Sequence, residues 1–131
     1  MNNKGFTLIE LIATIALLAV IALISFVSVD KILITSKVND CNTLLNNIKS
    51  SAKEYASDNR YNNNINLEDE FDASILTNNK YLSTPIQNPF IKEEINPQTI
   101  KIKLELYDNY TVKDVTITNN GNIIDCSTNK W

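Results

Sequence analysis

The chain begins with a long apolar segment that no charged residue interrupts. From Leu11 to Val29 the side chains are nearly all aliphatic or Phe, and only Thr14, Ser25 and Ser28 are polar. At about 1.5 Å rise per residue, a helix of this length can cross a hydrocarbon core of roughly 30 Å. The pattern therefore predicts a membrane-spanning helix.

Beyond this segment the apolar residues recur at steps of three and four, which is the spacing of one face of a helix. The positions that share this face are Val29, Ile32, Leu33, Val38, Cys41, Leu44, Leu45, Ile48, Ala52, Tyr55 and Ala56. We expect one helix from about Thr7 to Ser57. Its first half would face lipid or neighbouring subunits, and its second half would pack on its own domain.

The helical period is lost between residues 58 and 98. An asparagine-rich turn at 58–64 is expected to end the helix, a short helix is expected at 73–76, and three prolines mark an extended connector over 83–97. An acidic cluster precedes the short helix and consists of Glu68, Asp69, Glu70 and Asp72. We expect a solvated loop or a helix N-terminus there, with a calcium site as the alternative.

The period changes to two near residue 99. Ile100, Ile102, Leu104 and Leu106 alternate with polar residues or Tyr107, which predicts an antiparallel strand with one buried face. A second strand is expected over 110–118 with a bulge near residues 113–114, because its alternation is broken there. The Asn-Gly pair at 120–121 predicts a type I′ hairpin turn and a short third strand over 122–126. Together these elements predict an α+β fold: a long N-terminal helix packed against a small three-stranded antiparallel sheet.

One acid interrupts the apolar character of the N-terminal helix. Glu10 lies one turn into it, where a carboxylate in hydrocarbon costs about 2.5 to 3.5 kcal/mol on insertion scales, so this residue is a candidate functional site that needs a partner. The sequence offers no cation close to it except Lys4, and the next one is Lys31. We therefore expect the partner of Glu10 to come from outside the chain.

The segment Gly5-Phe6-Thr7-Leu8-Ile9-Glu10, followed by the apolar helix, resembles the class III signal of type IV pilins and pseudopilins. In that family a short basic leader ends in Gly, Phe follows, and an acid stands a few positions later inside a long apolar helix. The resemblance covers roughly the first quarter of the chain. It implies the pilin-like fold described above.

The resemblance also implies a function for each part of the motif. A prepilin peptidase would remove the leader, Met1 to Gly5, on the cytoplasmic side and methylate the new amino terminus of Phe6. Phe6, Thr7 and Glu10 would take part in subunit assembly, and Glu10 would pair with the N-terminal ammonium of a neighbouring subunit. Such a pair would offset the desolvation of both charges and would set the axial register of a filament.

Two simpler interpretations of the N-terminus fit the sequence less well. A secretory signal peptide would have a shorter apolar region, about 7 to 15 residues, and a small-residue cleavage site after it, which is not found before Asp30. A plain single-pass anchor explains the hydrophobicity but leaves the Gly5–Phe6 junction and Glu10 unexplained. It would leave the N-terminus uncut.

Charge and orientation give weaker signals. The 12 Lys and Arg residues against 15 Asp and Glu residues give a net charge of −3, and loss of Lys4 with the leader leaves 11 against 15. This balance disfavours an average surface suited to nucleic acid. Lys4 favours a cytoplasmic N-terminus only mildly, and the resemblance implies that the C-terminal domain lies outside.

The two cysteines, Cys41 and Cys126, lie near the start and the end of the exported region. Outside the cytoplasm an even cysteine count favours a disulfide, which would stabilise by about 4 kcal/mol across a loop of this size. Two unrelated buried thiols are the alternative. At the C-terminus, Trp131 is expected to fray rather than anchor the tail.

The composition argues against catalysis. No histidine is present, and the two glycines, Gly5 and Gly121, cannot build a phosphate-binding loop. No pair of carboxylates lies in an apolar context that would separate their pKa values. We expect no enzymatic activity, no catalytic residue, no cofactor and no metal.

The sequence is compatible with three functions. The first is a pilin or pseudopilin subunit with a leader at 1–5, a membrane and filament-core helix at 6–29 and an exported head at 30–131. The head would contain the second half of the helix to about 57, the connector 58–98 and the sheet 99–126.

The partners of this first function would be other copies or other pilins, the prepilin peptidase, an inner-membrane assembly platform, and lipid before assembly. The subunit would be a single-pass membrane protein with its head outside the cytoplasm, and then part of a surface or periplasmic filament.

The second function is a minor pilin that binds a ligand in DNA uptake or adhesion. Lys101, Lys103 and Lys113, with Tyr107 or Tyr110, are the candidate DNA contacts, although ordinary solvent-facing strand residues are favoured. The third function is a membrane-tethered domain that is unrelated to filaments.

Overall fold

A computed structural model describes residues 4–131, apart from the side chains of residues 26–28. The first three residues of the expected leader therefore lie outside the described part. The first helix, α1, comprises Leu8–Asn59, close to the expected bounds. The chain divides into two compact units, 1–36 and 37–131, which are described separately.

The first unit is the apolar part of α1. Its large aliphatic side chains are exposed, as expected of a helix whose surroundings are hydrocarbon or other subunits. Within the described residues, α1 is the one helix that is long and apolar enough to cross a membrane. Two of its polar side chains bond back to the helix: the hydroxyls of Thr14 and Ser25 donate to the carbonyls of Leu11 (2.8 Å) and Ile21 (2.9 Å). This satisfies their hydrogen bonds without water.

The second unit is an α+β head in which the remainder of α1 packs with an antiparallel sheet. The strands are β1 (Phe71–Asp72), β2 (Ile100–Leu106), β3 (Val112–Asn119) and β4 (Asn122–Ile123), paired in sequence order. A second helix, α2 (Ala73–Asn78), follows β1, and a 3-10 turn (Pro97–Thr99) precedes β2. The sheet has four strands, so the expectation of three was wrong. The additional strand, β1, has only two residues, which is too short to show an alternation of apolar and polar residues in the sequence.

The core of the head lies between one face of α1 and one face of the sheet. From α1 it takes Cys41, Ile48, Ala52, Tyr55 and Ala56, and from the central strands Ile100, Ile102, Leu104, Val115 and Ile117. Burial alternates along β2 as the sequence predicted. The apolar stripe predicts the core from residue 38 onward, whereas its earlier members Val29, Ile32 and Leu33 are exposed.

The β2–β3 hairpin contains the predicted bulge. Glu105 pairs with Asp114 and Leu106 pairs with Val112, so Lys113 is the extra residue on β3. The turn before β4 has Asn120 and Gly121 at φ of 49° and 81°, the left-handed values of the predicted hairpin turn. The last strand ends at Ile123 and not at Cys126, because Asp125 instead bridges to Lys130 in a C-terminal turn.

Candidate functional site

The start of α1 is fixed by two reciprocal hydrogen bonds between Thr7 and Glu10. The backbone N–H of Thr7 donates to Oε2 of Glu10 at 2.8 Å, and the backbone N–H of Glu10 donates to the hydroxyl of Thr7 at 3.4 Å. This is a capping box, which satisfies two N–H groups that a helix otherwise leaves unpaired. Thr7 is therefore the cap, and the helix begins at Leu8.

This contact corrects the expectation that Glu10 has no partner within the chain. The signal was present in the sequence, because Thr7-Leu8-Ile9-Glu10 is the spacing of a capping box. It was missed because only cations were considered as partners. The backbone N–H of Thr7 contributes a hydrogen bond and no formal charge, so Glu10 still carries its charge into the apolar segment.

The junction expected to be cut lies outside the helix. Residues 4–7 form no regular secondary structure, and Phe6 is 84% exposed. A methyl group added at Gly5 would meet nothing within 4 Å. Because the chain leaves room for a side chain at Gly5, nothing in its own packing explains why glycine stands there.

In the head, Cys41 and Cys126 form a disulfide across a sequence separation of 85 residues, so the predicted pairing is present. Trp131 lies against it, and its indole N–H donates to Sγ of Cys41 at 3.0 Å. The expectation that Trp131 frays was wrong. The signal was the aspartate at position 125, which starts a structured turn.

The carboxylate of Asp125 holds the C-terminal turn together. It accepts hydrogen bonds from the hydroxyl (2.6 Å) and backbone N–H (2.9 Å) of Ser127 and from the hydroxyl of Thr128 (2.8 Å). The backbones of Asp125 and Lys130 bond reciprocally at 2.9 and 3.1 Å. The hydrogen bonds from Ser127 and Thr128 favour the charged carboxylate and keep the pKa of Asp125 below its ordinary value of 3.8. The turn brings the last residue back to the disulfide.

The strand lysines proposed for DNA binding are largely engaged with acids. Lys101 pairs with Asp72 at 3.7 Å and Lys113 pairs with Glu105 at 3.5 Å. Lys103 is exposed. The structure therefore does not bring the three cations together as one unpaired basic face.

The acidic cluster is divided by the fold. Asp72 caps α2 by accepting hydrogen bonds from the backbone N–H and the hydroxyl of Ser74, and it also pairs with Lys101. Within residues 4–131 no group of three or more acidic or cysteine side chains is arranged to hold a metal ion. The helix N-terminus interpretation fits Asp72, and the calcium alternative gains no support from this geometry.

The long N-terminal helix and the small sheet together have a pilin-like architecture. A long helix begins just after an exposed Gly-Phe junction, carries an acid in its first turn, and packs its second half on a small antiparallel sheet, which is a pilin-like α+β architecture. Residues 1–26 match the family model described as the prokaryotic N-terminal methylation motif. This is the class III signal peptide motif of type IV pilins, and the chain carries it. A search of curated proteins and a search of solved structures return no match to the chain.

Proposed function

We propose that the chain is the precursor of a type IV pilin-like or pseudopilin subunit, cleaved after Gly5, methylated at the amino group of Phe6 and polymerised through α1. The motif and the apolar helix fit a membrane-anchored precursor. The observation that supports processing and assembly is Glu10, a carboxylate in an exposed apolar helix. Within residues 4–131 its hydrogen bonds are those of the capping box with Thr7. The role is structural and requires no catalytic step of the chain itself.

Processing is supported by the geometry of the junction. A peptidase must bind its substrate in an extended conformation, and the capping box at Thr7 keeps residues 5 and 6 out of the helix. The open space around Gly5 gives no reason within the chain for a glycine there. This supports the proposal that the glycine fits an enzyme pocket that tolerates no side chain. Prepilin peptidase is therefore the first partner that we propose.

Assembly is supported by the exposed apolar surface and by Glu10. Cleavage after Gly5 creates an ammonium group on Phe6, and the neighbouring subunit's ammonium would supply the positive charge that Glu10 lacks. Two opposite charges in a medium of low dielectric constant offset each other's desolvation only at close range. The pair would therefore form at one axial stagger and would select the register of the filament.

The proposed location follows from this scheme. Before assembly α1 would span the cell membrane with the head outside the cytoplasm, and an assembly platform in that membrane would transfer the subunit into a surface or periplasmic filament. The disulfide of the head suits an oxidising compartment outside the cytoplasm. The DNA-uptake alternative gains no support from the strand lysines, because two of the three pair with acids.

The variant Glu10→Gln separates the two roles of this side chain. Glutamine can complete a capping box as glutamate does, but it has no charge to pair with an ammonium. If charge pairing drives assembly, Glu10→Gln should be processed normally and should fail to enter filaments, which is measured in sheared-filament and membrane fractions of producing cells. Thr14→Val removes another polar group from the same helix and is the matched control, expected to assemble. Normal filament yield from Glu10→Gln would contradict the pairing proposal.

A further inference from the structure

A hollow on the head joins the end of α1 to the β2–β3 turn. We call it the Arg60 hollow. Its volume is about 230 Å³, and it is lined by Lys53, Ser57, Arg60, Tyr110, Thr111 and Val112. Lys53 and Ser57 stand four residues apart on one face of α1, and Arg60 follows directly after Asn59, the last residue of the helix. The hollow contains two cations and no acid, although the whole chain is acidic.

Both cations lack an acidic partner within the described part of the chain. The ion pairs there involve Lys92, Lys101 and Lys113, and neither Lys53 nor Arg60 takes part in one. Nε of Arg60 is buried without a hydrogen-bond partner. The guanidinium lies over the ring of Tyr61, at 5.0 Å from its centroid. Arginine binds carboxylate and phosphate groups in pairs of parallel hydrogen bonds, so an anion is the group that this position accepts best.

Tyr110 gives the hollow an aromatic wall. Its φ is 61°, a left-handed conformation that is rare for a tyrosine, and its side chain is 57% exposed. The turn holds it there through the N–H of Tyr110, which donates to the carbonyl of Tyr107 at 2.8 Å. Strained residues of this kind cluster at binding sites, where the surroundings maintain a useful side-chain position.

A second hollow of about 400 Å³ shares Arg60 and Tyr110 with the first. We call it the asparagine hollow, because Asn62, Asn63 and Asn66 line it together with Tyr61. The carbonyl oxygens of Asn62 and Asn66 already accept hydrogen bonds from the backbone N–H groups of Asn64 (3.1 Å) and Glu68 (3.2 Å). Each asparagine amide also offers two N–H donors, which suit the hydroxyl groups of a sugar. It contains one acid, Glu68, so a negative group belongs in the first hollow and a neutral one in the second.

We propose that the two hollows form a binding site for an acidic saccharide, whose carboxylate or phosphate is held by Lys53 and Arg60 and whose neutral neighbouring sugar contacts the asparagines and tyrosines. A nucleic acid is disfavoured, because it needs a track of cations along several phosphates and only two are present here. This site does not depend on cleavage or filament formation.

The test uses the full-length chain in detergent micelles, labelled with ¹⁵N and followed by NMR. Trigalacturonate should shift the backbone amide signals of residues 60–66 and 109–112 in a saturable way, and maltotriose, which has no charge, should bind at least tenfold more weakly. Arg60→Gln and Lys53→Gln should each weaken trigalacturonate binding at least tenfold. Lys103→Gln removes an exposed cation from β2, outside both hollows, and should leave binding unchanged.

Four results would contradict the proposal of a saccharide site. Absence of saturable shifts with trigalacturonate would overturn it, as would unchanged affinity in Lys53→Gln, whose exposed side chain can be replaced without loss of core packing. If inorganic phosphate bound as tightly as trigalacturonate, the site would be a simple anion site, and the saccharide proposal would be wrong. A short oligothymidylate that binds more tightly, with shifts in the same amides, would assign the site to nucleic acid instead.

Discussion

Loss of the Cys41–Cys126 disulfide should destabilise the head more than any single surface change. The bridge closes a loop across 85 residues, and the chain-entropy relation gives about 4 to 5 kcal/mol at 25 °C for a loop of this length. Domains of this size are stable by only about 5 to 15 kcal/mol. Removing the bridge should therefore take away about a quarter or more of the stability.

The variant for this test is Cys41→Ala with Cys126→Ala, unfolded with urea in detergent micelles and followed by circular dichroism. With a slope of about 1 to 1.5 kcal/mol per molar urea, the expected loss lowers the midpoint by about 3 to 5 M. The chain has one tryptophan, and its indole contacts Cys41. Its fluorescence should be quenched by the disulfide in the native protein and should rise when the bridge is absent.

Reduction of the wild-type chain should reproduce both changes, and the same reductant should have no effect on the double alanine variant. A midpoint shift below about 0.5 M in the double variant would refute the argument that the bridge organises the head. Unchanged fluorescence would contradict the packing of Trp131 against it.

Three further changes test the fold. Ile48→Ala should lower the free energy of unfolding by about 2 to 5 kcal/mol because Ile48 is 0% exposed, and Ile123→Ala, at 70% exposure, is its control and should change it by less than about 0.5 kcal/mol, both measured by urea unfolding. Gly121→Ala should cost about 1 kcal/mol in the same assay, from φ alone, since an added methyl group there meets nothing within 4 Å; no loss would mean that the turn is not left-handed. The lowered pKa of Asp125 stabilises the head above the ordinary value of 3.8, and this contribution is lost as pH falls through that value toward the folded pKa. The protection factors of amides in the C-terminal turn, which are the ratios of the intrinsic exchange rate at each pH to the rate measured by NMR, should therefore fall between roughly pH 5 and pH 3. Asp125→Asn, which cannot titrate, should show no such fall.

Much of the head follows from local patterns. The alternation of Ile100, Ile102 and Leu104 gives β2 and its buried face, and Asn120-Gly121 gives the turn to β4. These elements are predictable because each is encoded by neighbouring residues, through a period or through a required φ value.

Other features depend on distant residues and leave no local pattern. The two-residue strand β1 exists because β2 offers a partner edge, and Trp131 is held because the C-terminal turn returns it to the disulfide. The Arg60 hollow also requires tertiary structure. The sequence predicts Lys53 on the helix and Arg60 in the turn that follows it, but it cannot show that Tyr110 lies beside them.

The N-terminal site is a mixed case. The Gly5–Phe6 junction and Glu10 were recognisable from sequence, and the match over residues 1–26 supports that interpretation. The spacing of Thr7 and Glu10 also indicates a capping box, and this signal was missed. It matters because it gives Glu10 a role in the precursor that is separate from the charge pairing proposed in the filament.

The most direct test of the proposed function is the identity of the mature N-terminus. The chain should be purified from the membranes of cells that contain an active prepilin peptidase, and its intact mass and N-terminal peptide should be measured. The proposal predicts a chain that starts at Phe6 and carries one additional methyl group on its amino terminus. A chain that retains residues 1–5 in those cells would contradict the filament function and would leave α1 as a plain membrane anchor.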